Sequence, residues 1–180
     1  MLLIGCKPPG RHTEQHDVFF GIAESVKDLV PQLISFWPEA KGKIHVDAWR
    51  EIRQVNGFNI FIGLQQDAEP AAGKIRLFFI NLGGYKQGEF EEFHYKMIVA
   101  AQDKGEAISV AKETAFYRHT GFKGATSHVD DKYGIDVDDF YELADILPTH
   151  YKDKFSIVVE PAAEETPDPI HLGYFKLDKL

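Results

Sequence analysis

The feature that most narrows what this chain can fold into is that its first third is written again, with insertions, farther along. Gly10, Glu14, His16 and Ala23 recur as Gly88, Glu92, His94 and Ala101 at a constant offset of 78 residues. Ile44, Val46, Asp47 and Glu51 recur as Ile135, Val137, Asp138 and Glu142 at an offset of 91, and Phe58 and Ile60 as Phe155 and Ile157 at 97. The order is kept while the offset grows, which puts two insertions into the second copy. A chain of this kind is expected to fold as two versions of one supersecondary unit.

Each copy opens with a short apolar run, Leu2 to Cys6 and Leu77 to Leu82, followed by turn residues at Pro8-Pro9-Gly10 and Gly83-Gly84. A second run follows, Val18 to Ala23 and Lys96 to Ala101. Runs of that length bounded by glycine or proline predict strands, and the short polar loops between them predict hairpins. Ser25 and Asp103 then offer helix N-caps, each with an acid three residues on, Asp28 and Glu106. Val26, Leu29, Val30, Leu33 and Trp37 keep helical spacing, as do Ala107, Ile108, Ala111 and Ala115. Pro31 conflicts with a helix interior, where proline costs ~3 kcal/mol, so a kink or a later start is expected. A second short helix is expected after Asp47 and after Asp138 or Asp139, and closing strands at Phe58 to Leu64 and Phe155 to Val159.

The expected fold class is therefore α+β: two related strand-strand-helix-strand units, residues 1–66 and 74–160, packing as a pseudo-symmetric pair with mainly antiparallel sheet. A first unit of about 65 residues is marginal alone, which favours association of the two. Residues 161–180 form a C-terminal tail. Its first part, Pro161-Ala162-Ala163-Glu164-Glu165-Thr166-Pro167-Asp168-Pro169, excludes regular structure. Ile170, Leu172 and Tyr174 then alternate, so Ile170 to Leu177 is a candidate docking strand, for this chain or a neighbour.

Composition removes several function classes. The formal charge is −8 and the pI near 5.4, the wrong sign for duplex nucleic acid as a partner. The excess is local: Ser127 to Asp145 holds Asp130, Asp131, Asp136, Asp138, Asp139, Glu142 and Asp145 against Lys132 alone. An apolar fraction of 44% excludes a disordered chain. No apolar run approaches the ~18 to 20 residues of a membrane span. Cys6 is the single cysteine, which excludes an intramolecular disulfide and points to a reducing, cytoplasmic setting. Leu3-Ile4-Gly5-Cys6 has the look of a lipoprotein cleavage box but lacks the basic and apolar stretch that precedes one.

The paired units, the stretch Glu14-Gln15-His16-Asp17-Val18-Phe19-Phe20-Gly21 and the stretch from Ser127 to Asp139 resemble an uncharacterised bacterial family, domain of unknown function 1543, whose unit occurs once or twice per chain. The resemblance covers residues 1 to 160 and leaves the tail aside. It implies no established activity and no catalytic residues to carry over.

The chemistry rests on the residues themselves. In extended chain Glu14 and His16, and again Glu92 and His94, point to one side, as a proton-transfer pair or two metal ligands would; a hydrogen-bonded hairpin tie needs the same arrangement. His128, Asp130, Asp131 and Asp136 offer oxygen and nitrogen ligands for a divalent ion. An EF-hand loop is excluded, since Lys132 and Gly134 fall where side-chain oxygens are needed. Helix capping by Asp138 or Asp139 with Glu142 is the bland account of the same acids. His12 and His16 frame Glu14 in the wrong order for a zinc-protease helix, and Phe90 stands where the second copy needs the first histidine. There is no nucleophile elbow, P-loop, dinucleotide fingerprint or paired C-x-x-C, and Cys6 reads as core. The expected role is a non-enzymatic ligand-binding or protein-interaction module without a cofactor, self-associating through a sheet edge or the tail. The alternative is a divalent-metal-dependent hydrolase using the Glu/His pairs and the Asp cluster.

Overall fold

Period-two burial builds the first strand: Leu2, Ile4 and Cys6 are 2%, 0% and 1% exposed. The computed structural model describes residues 1–67, 75–85, 90–119 and 135–180, with backbone alone at 85, 114–119 and 135–136. Within these, β1 (Leu2–Cys6) pairs antiparallel with β2 (Gln15–Phe19) on one side and β3 (His45–Trp49) on the other. Between β2 and β3 a 3₁₀ turn at Val26–Leu29 runs into α1 (Val30–Phe36). Pro31 sits in the first turn of α1, where its missing N–H costs nothing, so the helix starts later. Leu29 and Leu33 close the core over Leu2, Ile4, Cys6, Phe19, Ile44 and Val46.

The short helix expected after Asp47 is absent. Ile44, His45 and Val46 are all buried, and the chain continues as strand β3, then β4 (Gln54–Val55) and β5 (Phe58–Leu64). Pairing of β3 with β1 overrides the capping signal of the aspartate. Asn56 and Gly57, with φ of 34° and 86°, turn the chain between β4 and β5. The Asn56 side chain donates to the Ala100 carbonyl at 3.2 Å and accepts from its N–H at 2.9 Å.

A second sheet holds β6 (Arg76–Tyr85) between β7 (Glu92–Ala101) and β8 (Ile135–Glu142), all antiparallel. α2 (Lys104–His119) buries Ala107 and Ala111 against Phe78, Ile80, Leu82 and Val99. Its start is capped as expected: Asp103 accepts from the Glu106 N–H at 3.0 Å, and the Glu106 carboxylate accepts from the Gln102 N–H at 2.7 Å. Asp138 and Asp139 lie inside β8 and cap nothing; α3 (Leu143–Ile146) begins only after the strand ends. α4 (Thr149–Lys152) follows, then β9 (Phe155–Pro161), which pairs antiparallel with β5. In that pairing Phe61 stands opposite Val158, its own counterpart at the offset of 97.

The chain is α+β, and β1 with β2, β1 with β3, β3 with β10, β5 with β9, β6 with β7 and β6 with β8 all pair antiparallel. Its compact units do not follow the sequence copies. One comprises Met1–Gln54, Leu147–Asp153 and Thr166–Leu180, the other Val55–Ile146 and Lys154–Glu165. β5, the close of the first copy, belongs to the second unit. The tail returns to the first, where β10 (His171–Lys176) adds to the free edge of β3. Asp168 fixes that return by accepting from the backbone N–H groups of Arg53 and Gln54 at 3.0 and 3.4 Å, and Phe175, Leu177 and Leu180 pack against the core. No helix among the described residues is long and apolar enough to cross a membrane.

Candidate functional site

In the pairing of β1 with β3, Leu3 faces Ala48 and Ile4 faces Val46, which leaves Asp47 as one residue too many. In the pairing of β6 with β8, Asn81 faces Asp139 and Leu82 faces Val137, which leaves Asp138 over. The same bulge therefore recurs at positions 91 apart, and a bulge re-aims the side chain it carries. The central strands match as well: Gly5 stands in register with His16, and Gly83, 78 residues on, with His94. A β-carbon at Gly5 would meet Nε2 of His45 at 2.5 Å and Oδ2 of Asp47 at 2.8 Å. One at Gly83 would collide with the carboxylate of Asp138. Glycine at both places leaves the room in which imidazole and carboxylate meet.

The first centre gathers Glu14, His16, His45 and Asp47. Nε2 of His45 lies 3.2 Å from Glu14 Oε1 and 3.2 Å from Asp47 Oδ1. Nε2 of His16 lies 3.3 Å from Asp47 Oδ2 and 3.9 Å from Glu14 Oε2. Glu14 and His16 are half-exposed, whereas His45 is only 4% exposed. Close as these approaches are, they are misaligned as hydrogen bonds: His45 Nε2 and Asp47 Oδ2 are buried without a hydrogen-bond partner. An orphaned buried polar atom costs ~1–3 kcal/mol, so the arrangement is not explained as a strand tie. Tyr174 of β10 stacks on the His45 ring at 4.2 Å between centroids.

The second centre gathers Glu92, His94 and Asp138, whose ligand atoms all lie within 4.8 Å of one another. Nδ1 of His94 is 3.1 Å from Asp138 Oδ2, and Nε2 is 3.8 Å from Glu92 Oε2. Asn81 touches the same Nδ1 at 3.2 Å while donating to Asp139 at 3.0 Å. The buried polar side chains among the described residues are His45 and Asn81, and one stands in each centre.

Sequence reasoning locates Glu14, His16, Glu92 and His94, and the structure gives each pair an aspartate of its own sheet. His128, Asp130 and Asp131 lie outside the described residues, and Asp136 is described as backbone only, opposite Gly83. Missed were His45, Asp47 and Asp138 as site residues and Gly5 and Gly83 as their floor. The recurrence of Asp47 as Asp138 is itself a signal, hidden by its equal fitness as a helix cap. His45 has Asp136 at its counterpart position, so a search for repeated residues passes over it. Cys6 is core, and burial, with Glu14 nearby, pushes its thiol above the ordinary value of 9.0.

Residues 11–62, which include all four groups of the first centre, match the family model described as Domain of Unknown Function (DUF1543). No curated protein matches the chain. The crystal structure of a protein Il1583 from Idiomarina loihiensis is similar in fold, with a TM-score of 0.64 at 20% identity over 98% of this chain and 94% of that one.

Proposed function

We propose that the chain is an internally duplicated binding module whose two copies each hold a divalent cation, through Glu14, His16 and Asp47 in one sheet and Glu92, His94 and Asp138 in the other. The observation that carries this reading is the repeated bulge, which sets an aspartate over a glycine beside a Glu-x-His pair in both sheets; in the second sheet the three ligand atoms lie within 4.8 Å of one another. Carboxylate beside imidazole suits divalent ions that accept both oxygen and nitrogen. A buried Cys6 fits work in a reducing compartment such as the cytoplasm. The test is equilibrium dialysis of tag-free protein against Mg²⁺, Mn²⁺ and Zn²⁺ separately, with the D47N/D138N double variant as comparison. Uptake that disappears in the variant supports the reading; no uptake of any of the three ends it.

Hydrolysis is the second reading, favoured by the half exposure of Glu14 and His16, which leaves one face of the first centre open to water. A screen of the metal-loaded protein against phosphate and carboxylic esters separates a hydrolase from a pure binder. Self-association is proposed through the outer edge of β10, where Leu172 and Tyr174 are exposed. Sedimentation of wild type against Leu172→Lys tests it, and a monomer at every concentration excludes it.

A further inference from the structure

The second centre contains an amide that its neighbours use at one end only. Asn81, on the central strand β6, is 7% exposed, and its Nδ2 lies 3.0 Å from Asp139 Oδ2 and 3.2 Å from Nδ1 of His94. A carboxylate only accepts, so Asp139 fixes the nitrogen end of the amide toward the ring. Nδ1 therefore accepts the second amide hydrogen, and the neutral ring carries its proton on Nε2, 3.8 Å from Glu92 Oε2. An imidazole held this way orients the glutamate and presents no free lone pair to a metal.

Two features of the same centre call for a ligand. Asn81 Oδ1 is buried with no hydrogen-bond partner among the described residues, which a folded chain rarely tolerates. Asp138 Oδ2 stands 3.1 Å from Nδ1, whose lone pair is already engaged, and two acceptors that close repel. A hydrated cation on the carboxylates answers both: its charge offsets the repulsion, and a water drawn in with it donates to Oδ1. The spacing allows this. Oxygens of a six-coordinate ion with ~2.1 Å bonds stand ~3.0 Å apart as neighbours and ~4.2 Å apart as opposites. The ligand atoms here lie within 4.8 Å of one another. The side chains of Glu92 and Asp138 are 36% and 26% exposed, so the remaining positions face water. With the ring nitrogens withdrawn, the donors are oxygens, the choice of hard ions.

Resting on the cation-binding reading above, we infer that the second centre takes a water-carrying divalent ion of the magnesium class on the oxygens of Glu92 and Asp138, with His94 and Asn81 as positioning residues that do not ligate it. The test uses full-length Asp47→Asn protein, in which the first centre is disabled, titrated with Mn²⁺ as a paramagnetic stand-in for Mg²⁺. Water-proton relaxation follows the binding, and pulsed electron paramagnetic resonance identifies the atoms on the ion. One bound Mn²⁺ is expected, carrying water, displaced by Mg²⁺ and without a directly coordinated nitrogen. Asp138→Asn, added to this protein, is expected to abolish the event, and Asn81→Ala to weaken it about ten-fold. Should Asn81→Ala fail to fold by circular dichroism, the nitrogen signal and Asp138→Asn, at a partly exposed position, carry the test. A nitrogen coordinated to Mn²⁺, a folded Asn81→Ala that binds as tightly as its parent, or an Asp47→Asn protein that binds nothing while wild type does, overturns this inference and leaves cation binding itself standing. Uptake that survives Asp138→Asn, or no uptake of Mg²⁺, Mn²⁺ or Zn²⁺ by wild type, overturns both.

Discussion

Gly5 of β1 and His45 of β3 face each other in register, and a β-carbon on the glycine would stand 2.5 Å from the imidazole Nε2. His45 is buried and cannot swing aside. Gly5→Ala is therefore expected to cost ~1–3 kcal/mol by overpacking and to abolish cation uptake at the first centre. Urea denaturation and zinc titration measure the two effects; an alanine variant as stable and as competent as wild type refutes the role of the glycine.

Asp47 sets up an opposition between stability and binding. Its Oδ2 is buried without a hydrogen bond, and Glu14 shares its surroundings. Asp47→Asn removes one negative charge at constant shape, so the metal-free protein is expected to gain ~1 kcal/mol while the cation site is lost. Melting curves with and without Zn²⁺ decide this: wild type rises on adding metal, and the variant starts higher and stays still. A variant that melts well below metal-free wild type shows a structural role for the carboxylate.

The tail holds the first unit closed. Phe175 packs on the core and Asp168 anchors the backbone of Arg53 and Gln54. Phe175→Ala is expected to cost ~2–3 kcal/mol, and Asp168→Ala ~1 kcal/mol. Amide exchange resolved along the chain should show β3 losing protection in both variants; unchanged protection in β3 would falsify the docking.

Cys6 carries a pH dependence. Burial first, and the Glu14 carboxylate second, hold its thiol neutral above the ordinary value of 9.0, with Lys43 opposing. The folded protein keeps a proton that the unfolded chain releases, so this stability is fully present below the unfolded thiol's range and is lost as pH rises through the folded value. Native protein is expected to react slowly with thiol reagents at pH 8, and its unfolding midpoint to fall at higher pH less steeply in Cys6→Ala. Rapid labelling of the native protein at pH 8 contradicts this.

β1, β2, β5, β6, β7, β9, α1 and α2 are legible in the sequence because period-two and period-3.6 burial leave separate traces, as at Leu2, Ile4 and Cys6 or at Ala107 and Ala111. β3 and β8 are not, since short helices are expected there, and the sequence leaves open whether the tail strand docks on this chain or a neighbour. Pro31 and Asp103 likewise mark helix starts that the structure contains. The bulges are not legible. An aspartate at the end of an apolar run satisfies a helix cap and a bulge equally, and only the cross-strand register, in which Ala48 rather than Asp47 faces Leu3, separates them. Half of the site was therefore visible as Glu-x-His pairs. The rest depended on pairing partners 40 or more residues away, such as Gly5 with His45.

β3 waits for β10 through more than a hundred intervening residues, most of which form the second unit. On the ribosome, therefore, the first unit is begun first and finished last, with its β3 edge unpaired while the second unit is being synthesised. A nascent chain stalled before His171 presents that edge to any passing strand, which makes the interval, rather than the finished molecule, the moment at which this protein is most exposed to misassembly.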